Sequence, residues 1–213
     1  MNINPKIAVV DYGIGNLFSI SRAVARFTDS FVVTDDPGMI RSSEKVILPG
    51  VGSFEAGMMG LKLRGLENII KEFAETGRPI LGICLGAQLL LSEGHEFGKF
   101  KGLNIIPGRV TKFSGLDKGT KVPHIGWNHV KVSRGASKER IFKSVPENSN
   151  FYFIHSFTLN PDHEKNILSS TNYGGKEFCS AVYSGNVYGT QFHPEKSGQE
   201  GLKLIGNFVN LPK

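Results

Sequence analysis

The amino-acid sequence predicts an α/β protein with a mixed, mainly parallel sheet and helices on both faces. Over roughly the first hundred residues, short apolar runs alternate with stretches of helical spacing, which is typical of parallel strands joined by helices. From about Leu103, strand-like runs follow one another through turns, which favours antiparallel pairing. The 213 residues suffice for one large core. Because no linker, repeat or low-complexity segment interrupts them, we expect residues 1–213 to form a single domain.

Strands and helices alternate in the first half of the chain. The predicted strands are KIAVVDYG (6–13), FVVT (31–34), KVILPG (45–50) and RPILGI (78–83), and each is short and apolar enough to be buried. The predicted helices are NLFSISRAVARF (16–27), LENIIKEFAETG (66–77) and LGAQLLLSEG (85–94). Asn16 is placed to cap the first helix, and Gly77 and Gly94 are placed to end the other two.

The second half of the chain is dominated by strand-like runs. They are GLNIIPGRVTKF (102–113), KVPHIGWNHVKV (121–132), NFYFIHSF (150–157), ILSSTN (167–172), EFCSAVYSG (177–185) and NVYGTQFHPE (186–195). A turn such as YSGNVYG favours an antiparallel pair. A last helix, GLKLIGNFVNL (201–211), completes the predicted layers.

Composition and charge narrow the class of protein. Hydrophobic residues make up 39% and charged residues 21% of the chain, as in ordinary globular proteins, and no apolar run is long enough to span a membrane. The N-terminus has no signal-peptide pattern, and two cysteines form no disulfide framework, so we expect a cytoplasmic protein. The net charge of +6 comes from dispersed lysines and arginines, which disfavours nucleic-acid binding and leaves a basic patch for an acidic or phosphorylated partner.

A cysteine lies between two glycines in GICLG, where a strand gives way to a helix. A nucleophile at such a junction sits on a sharp turn, and its neighbours must be small because the helix passes close to the strand. The N–H groups at the start of the helix favour a thiolate on Cys84, and they are placed to hold a developing oxyanion. The alternative is a buried structural cysteine in a glycine-rich turn.

The segment FHPE supplies a base and an orienting carboxylate. In an extended segment, residues two apart point the same way, so Glu195 is placed to accept a hydrogen bond from His193 and stabilise its imidazolium. The alternative is a surface loop with an ordinary ion pair.

The loop LPGVGSF follows an apolar strand, which is where open α/β sheets bind ligands. Gly50 and Gly52 permit backbone angles that turn an N–H toward a substrate oxygen. A plain tight turn is the alternative. We expect no metal site, because His124 and His129 have odd spacing in a strand-like segment and therefore face opposite ways, with no cysteine nearby.

Taken together, the motifs PGVGSF, GICLGAQLL and FHPE resemble the class I (triad) glutamine amidotransferases over the whole chain. The resemblance implies a flavodoxin-like fold and hydrolysis of glutamine to glutamate and ammonia, with no cofactor. It implies that Cys84 is the nucleophile, His193 the base and Glu195 the residue that orients it. The N–H groups of Val51 and Leu85 are implied to form the oxyanion hole.

Further residues are implied to bind glutamine, with Glu96 meeting the α-ammonium group and the backbone of Ser156 and Phe157 meeting the α-carboxylate. For Gln88 and Glu96 the alternative is a solvated helix end. The implied substrate-binding residues are Gly50, Gly52, Gln88, Glu96, Ser156 and Phe157.

Longer stretches, among them DYGIGNLFSI, KVPHIGWNHV and NVYGTQFHPEKS, are similar to the glutaminase subunits of imidazole glycerol phosphate synthases. This similarity implies a heterodimer with a cyclase subunit of (β/α)8-barrel fold, which uses the ammonia to form imidazole glycerol phosphate and AICAR in histidine biosynthesis. Lys196 and the PHIGWN segment are the implied interface residues. The alternative is a paralogous glutaminase subunit that feeds another synthase, such as one that amidates a surface sugar.

Overall fold

The computed structural model describes residues 6–133, 140–147 and 149–212. The strands within these residues are β1 Ile7–Val10, β2 Phe31–Thr34, β3 Lys45–Leu48, β4 Ile80–Ile83, β5 Leu91–Gly94, β6 Phe100–Lys101, β7 Ile106–Lys112, β8 His124–His129, β9 Lys131–Val132, β10 Asn150–His155, β11 Phe157–Pro161, β12 Ile167–Tyr173, β13 Lys176–Ser184 and β14 Val187–Thr190. The α-helices are α1 Leu17–Val24, α2 Pro37–Ser42, α3 Phe54–Leu63, α4 Leu66–Glu75, α5 Leu85–Leu89 and α6 Gly198–Val209. Short 3-10 helices cover Arg140–Phe142, Glu164–Asn166 and Pro194–Lys196.

A single mixed sheet organises the described residues. Its strand order is β2-β1-β3-β4-β14-β13-β11-β7-β5-β6; in addition, β12 pairs with β13, and β9 pairs with β12. In this order, the strands from β2 to β14 pair in parallel. The next strand, β13, pairs with β14 in the antiparallel direction. The predicted α/β class with a mixed sheet is confirmed, and the single domain over residues 1–213 stays a prediction.

Each face of the parallel strands has its own core. Ile7 and Val9 of β1 pack in the cluster that contains the apolar sides of α1 and α6. Ala8 and Val10 point to the other side, into the cluster formed with α2, α3, α4 and α5. This alternation follows from the two-residue period of a strand, and it explains why β1 is apolar along its whole length.

The predicted helix ends are confirmed at two sites. The Asn16 side chain accepts a hydrogen bond from the Ser19 N–H at 3.1 Å and caps α1. Gly77 follows α4 with a φ of 74°, a left-handed conformation that favours glycine. The predicted β13–β14 hairpin also forms, with Ser184 opposite Val187.

The predicted helix over 85–94 is wrong beyond Leu89. After α5 the chain runs as β5, which pairs with β7 in parallel, Leu91 opposite Ile106. Residues 85–91 are all buried, and a run that is apolar on every side has no period that distinguishes a buried helix from a buried strand. Pairing with a distant strand decides the outcome.

Two further expectations need correction. FVVT is only partly buried, because β2 is the outermost strand of the sheet and has β1 as its neighbour. Helices α2 and α3 were not predicted, although Asp36 and Ser53 cap them and Pro37 occupies the first turn of α2. Within the described part of the chain, no helix has the length and apolarity needed to cross a membrane.

A separate two-stranded ribbon, β8 with β10, lies beside the main sheet. Its inward side chains, such as Phe153 and His124, are fully buried, whereas Ile125 and Trp127 are 56% and 55% exposed. The corner from β10 to β11 at Ser156 joins the ribbon to the sheet and brings both to the cavity described next.

Candidate active site

Cys84 occupies a strained turn at the carboxyl end of β4. Its φ is 53° and its ψ is −108°, a conformation that costs a non-glycine residue about 1–3 kcal/mol. The Cys84 N–H donates to the Thr190 carbonyl of β14 at 2.7 Å, and α5 begins at the next residue. The predicted strand–turn–helix junction is therefore confirmed. The hydrogen bond to β14 and the position of Cys84 directly after β4 keep it in this strained conformation.

The glycines around Cys84 are required by close packing. A Cβ at Gly86 would lie 1.7 Å from the Leu48 carbonyl oxygen, and a Cβ at Gly82 would lie 2.8 Å from the backbone of Ala87. Gly189 stands opposite Gly82 on β14 and also faces Ala87. Helix α5 thus rests directly on the backbones of β3, β4 and β14, which explains why this apolar run contains glycine.

His193 and Glu195 form a buried pair beside the cysteine. Nδ1 of His193 lies 2.8 Å from Oε1 of Glu195, and the two side chains are 2% and 4% exposed. Burial alone would lower the pKa of His193, but interaction with Cys84 and hydrogen bonding to Glu195 outweigh it and raise the pKa to about 10. Nε2 is buried without a well-formed hydrogen bond among the described residues, so it remains available to sulfur or substrate.

The local reason for the His193–Glu195 contact differs from the predicted one. The segment is not extended at this point, because Pro194–Lys196 is a 3-10 helix that begins directly after His193. Both backbone groups of His193 are hydrogen-bonded. Its N–H donates to the Tyr152 carbonyl, and its carbonyl accepts from the Ser197 hydroxyl. The tight turn at Pro194–Lys196, and not the alternation of a strand, therefore brings the Glu195 carboxylate to the His193 imidazole.

Most of the predicted residues line one cavity of about 250 Å³. Cys84 and His193 line it, and Lys196 lies at its edge. The remaining predicted residues that line it are Val51, Gly52, Gln88, Glu96, Ser156 and Phe157. Three predicted residues adjoin the lining residues. Leu85 directly follows Cys84, and Gly50 packs on α5. Glu195 contacts the His193 imidazole.

Gln88 is buried, which excludes the solvated helix end considered for it. Its Nε2 donates to the Phe157 carbonyl at 3.3 Å and to Oε1 of Gln191 at 3.1 Å. Gln191 was missed in the sequence, although it lies two residues before His193. Its Nε2 is 3.8 Å from Sγ of Cys84, so Gln191 contacts both the cysteine and Gln88.

Two buried histidines lie at this cavity: His155 lines it, and His124 packs behind His155. Nδ1 of His155 donates to the Phe157 carbonyl at 2.9 Å, and its Nε2 lies 3.0 Å from Nδ1 of His124. Burial, with a smaller contribution from His124, lowers the pKa of His155 to about 3, so this ring is neutral at physiological pH. His124 and His129 do face opposite sides of β8, as predicted, with one buried and the other exposed.

The loop between β3 and α3 also borders the cavity, through Val51 and Gly52. Val51 is 38% exposed at its tip, and Gly52 has a φ of 112°. Tyr12, also missed in the sequence, donates its hydroxyl to the Pro49 carbonyl at 2.5 Å. Oε2 of Glu96 accepts the Phe54 N–H at 2.8 Å.

Comparison with known proteins identifies the family of this chain. The family model of glutamine amidotransferase class-I matches residues 8–211. The chain belongs to the class I glutamine amidotransferase family.

Among curated relatives, the "Imidazole glycerol phosphate synthase subunit HisH" of Moorella thermoacetica is 45% identical over 205 residues, 96% of this chain and 94% of the relative. The protein of the same description from Syntrophotalea carbinolica is 44% identical over 209 residues, 96% and 100% of the two chains. The "HisH 2" subunit of Methanococcus maripaludis is 46% identical over 204 residues, 95% and 98% of the two chains.

Solved structures share the fold at low sequence identity. One described as a glutamine amidotransferase has a TM-score of 0.73 at 16% identity and covers 97% of this chain and 100% of its own. A chain of the PurLQS structure from Thermotoga maritima has a TM-score of 0.68 at 22% identity, with 98% and 99% coverage. These likenesses show the fold.

Proposed function

We propose that this protein is the glutaminase subunit of an imidazole glycerol phosphate synthase. The observation that carries the proposal is the buried His193–Glu195 pair beside Cys84, with Cys84 and His193 lining one cavity, in a chain 43–46% identical to HisH subunits over nearly its full length. Glutamine is the proposed substrate, glutamate and ammonia are the products, and the chemistry uses no cofactor. We further propose a cytoplasmic location.

The first half of the reaction forms a thioester. The Cys84 thiolate attacks the side-chain amide carbon of glutamine, and the carbonyl oxygen becomes an oxyanion that accepts hydrogen bonds from the N–H groups of Val51 and Leu85. The His193 imidazolium then donates its proton to the amide nitrogen. The C–N bond breaks, ammonia leaves, and the glutamyl group remains on sulfur.

The second half regenerates the enzyme. His193, now neutral, takes a proton from water, whose oxygen attacks the thioester carbon. The C–S bond breaks, glutamate leaves, and the thiolate is restored beside the imidazolium. The carboxylate of Glu195 stabilises the imidazolium at both stages, which accords with the raised pKa of His193.

Binding of the substrate's α-amino acid end uses the other cavity walls. Glu96 is placed to receive the α-ammonium through Oε1, because Oε2 already accepts the Phe54 N–H. The backbone at Ser156 and Phe157 is proposed to meet the α-carboxylate, and Gln88, fixed to the Phe157 carbonyl, borders the side-chain amide.

The proposed partner is a cyclase subunit of (β/α)8-barrel fold that receives the ammonia. The outward side of the β8–β10 ribbon supports such a partner, since Ile125, Trp127 and Ile154 are exposed there next to the cavity. Lys196 lies over the Tyr152 ring at 5.9 Å and adds a positive charge to the same face. An apolar face with a charged rim is typical of a stable protein interface.

Glutamate release from glutamine tests the proposal. The protein is assayed alone, with the histidine-pathway cyclase subunit of the same genome, and with that subunit plus its ribonucleotide substrate. We expect a low rate alone and a large stimulation in the complete mixture. Cys84→Ala is expected to fold and to reduce glutamate release to background.

The assay distinguishes the proposed nucleophile and the proposed pathway from their alternatives. Glutamate release that survives in Cys84→Ala would overturn the proposed nucleophile. An active protein that the cyclase does not stimulate would instead indicate a paralogous subunit serving another synthase.

A further inference from the structure

We propose that Tyr12 and Glu96 are positioning residues that clamp the loop of residues 49–53 between Pro49 and the start of α3 at Phe54, leaving its central N–H groups free to serve the oxyanion. The inference rests on the proposed function, because it needs the Val51 N–H as an oxyanion donor. It assigns Tyr12 a role in the reaction, and it gives Glu96 a second role besides binding the substrate ammonium.

The first end of the loop is held by Tyr12. This side chain is fully buried, and its hydroxyl donates to the Pro49 carbonyl. Two glycines make room for it: a Cβ at Gly50 would lie 2.2 Å from the hydroxyl oxygen, and a Cβ at Gly60 of α3 would lie 2.4 Å from the Tyr12 carbonyl. Burial, and secondarily the nearby Cys84, raise the pKa of Tyr12, so the phenol stays a donor at every working pH.

The second end is held by Glu96. Its carboxylate accepts the N–H of Phe54, the first residue of α3, so it anchors the point where the loop becomes helix. Ser53 caps the same helix end through its hydroxyl, which accepts the Ala56 N–H at 3.4 Å. The carboxylate reaches this site from beyond β5, forty-two positions along the chain, and it also lines the cavity.

Between these anchors the backbone is free. Among the described residues, the N–H groups of Gly50, Val51 and Gly52 make no hydrogen bond within the protein. Unpaired N–H groups beside a nucleophile are available donors for an oxyanion. Fixing both ends limits how far the middle can move, so loss of either anchor lowers the fraction of time for which the Val51 N–H is correctly placed.

Removing only the Tyr12 hydroxyl tests the first anchor. Tyr12→Phe is assayed in the stimulated complex, with Tyr173→Phe as the matched control, because Tyr173 also donates its hydroxyl to a backbone carbonyl, that of Lys121, away from the loop. We expect Tyr12→Phe to lower kcat about threefold to tenfold, the rate equivalent of one neutral hydrogen bond, with KM for glutamine unchanged. The control keeps the wild-type kcat.

A second readout separates loop placement from general damage. Glutamate γ-semialdehyde forms a tetrahedral adduct with a cysteine and needs the oxyanion donors, whereas iodoacetamide alkylates the thiolate without them. In Tyr12→Phe, the affinity for the aldehyde is expected to fall by the same factor as kcat, while the alkylation rate of Cys84 is unchanged.

Two substitutions separate the roles of Glu96. Glu96→Gln keeps an oxygen for the Phe54 N–H but loses the charge, so we expect KM to rise about tenfold or more with kcat within twofold of wild type. Glu96→Ala loses both, so we expect a similar rise in KM together with a kcat that is about threefold to tenfold lower.

Equal kcat values for the two Glu96 variants, or wild-type kcat and aldehyde affinity in Tyr12→Phe, would overturn the clamp while leaving the glutaminase assignment intact. Failure of the wild-type complex to release glutamate would overturn the proposed function itself.

Discussion

The turn at Cys84 and the loop at Val51 are neighbours that line the same cavity, yet they are held in different ways. The turn is fixed by close packing. Because Gly82 and Gly86 have no side chains, helix α5 lies directly on the strand backbones. Cys84, between them, adopts a strained φ of 53°. The loop is packed on one side only, and its tip is 38% exposed. The proposed nucleophile is therefore rigid, whereas the proposed oxyanion donor is adjustable.

This difference suits the proposed dependence of the glutaminase rate on a partner subunit. A signal that alters the geometry of the site must act on an element with little packing, since close-packed elements do not deform by small amounts. The loop and the apolar outer side of the β8–β10 ribbon border the same cavity. Contact with a partner could thus adjust the loop while the cysteine stays in place.

The largest effect is expected from Gly86→Ala. The added Cβ would lie 1.7 Å from the Leu48 carbonyl oxygen, so α5 must move away from the sheet. We expect a loss of at least about 3 kcal/mol in the free energy of unfolding, with no glutaminase activity, as measured by urea denaturation and glutamate release.

Gly38→Ala is the control for Gly86→Ala. Gly38 lies in helix α2, where the added Cβ would meet only the Asp36 carboxylate, at 3.1 Å. Its stability is expected to stay within about 1 kcal/mol of wild type. A fully active, stable Gly86→Ala protein would contradict the rigidity of the turn.

The next effect concerns the Val51 N–H. Val51→Pro removes this donor and is expected to lower kcat by about 10²–10³-fold. Val51→Ala keeps the donor, so it is expected to stay within about twofold of the wild-type kcat, because the exposed side chain is not part of the proposed chemistry. Equal kcat values for the two variants in the stimulated complex would show that the loop donates nothing to the oxyanion.

Glu195→Gln tests the electrostatics of the rigid side. Glu195 helps to raise the pKa of His193 to about 10, so the imidazolium is stabilised in the folded protein, and this stabilisation is present at low pH and lost as the pH rises through about 10. Without the carboxylate, the His193 imidazolium beside the Cys84 sulfur is less stabilised at pH 7. We expect alkylation of Cys84 by iodoacetamide to slow about tenfold at pH 7 and to recover toward the wild-type rate at high pH. A constant ratio of the two rates from pH 6 to pH 10 would argue against this explanation.

The smallest effect measures the strain at Cys84. Glycine adopts a positive φ at little cost, so Cys84→Gly is expected to be more stable than Cys84→Ala by about 1 kcal/mol. Thermal denaturation of the two inactive variants makes this comparison. A Cys84→Ala variant that is the more stable of the two would show that the turn carries no strain.

The sequence predicts local features better than distant ones. The spacing of GICLG predicts the turn at Cys84, because strand, nucleophile and helix follow one another directly in the chain. The β5 strand and the Tyr12 and Glu96 anchors depend on partners far away in sequence: β7, Pro49 and Phe54. No local pattern encodes such contacts, so the rigid side of the site could be predicted and the anchoring of the adjustable side could not.

The His193–Glu195 pair lies between these cases. Both residues were identified from FHPE, but the predicted extended geometry was replaced by a 3-10 turn that Pro194 begins. Gln191 was missed because a glutamine within a strand-like run carries no chemical signature until its contacts with Gln88 and Cys84 are seen.

The central claim is that Cys84 forms the covalent intermediate with glutamine. The most direct measurement is mass spectrometry of the stimulated complex after treatment with the glutamine analogue 6-diazo-5-oxo-L-norleucine, which alkylates an activated nucleophile in a glutamine site. Because the chain has two cysteines, Cys84 and the buried Cys179 serve as site and internal control. We predict one label per chain on Cys84 with loss of glutaminase activity. Loss of activity with the label on Cys179, or with Cys84 unmodified, would contradict the claim.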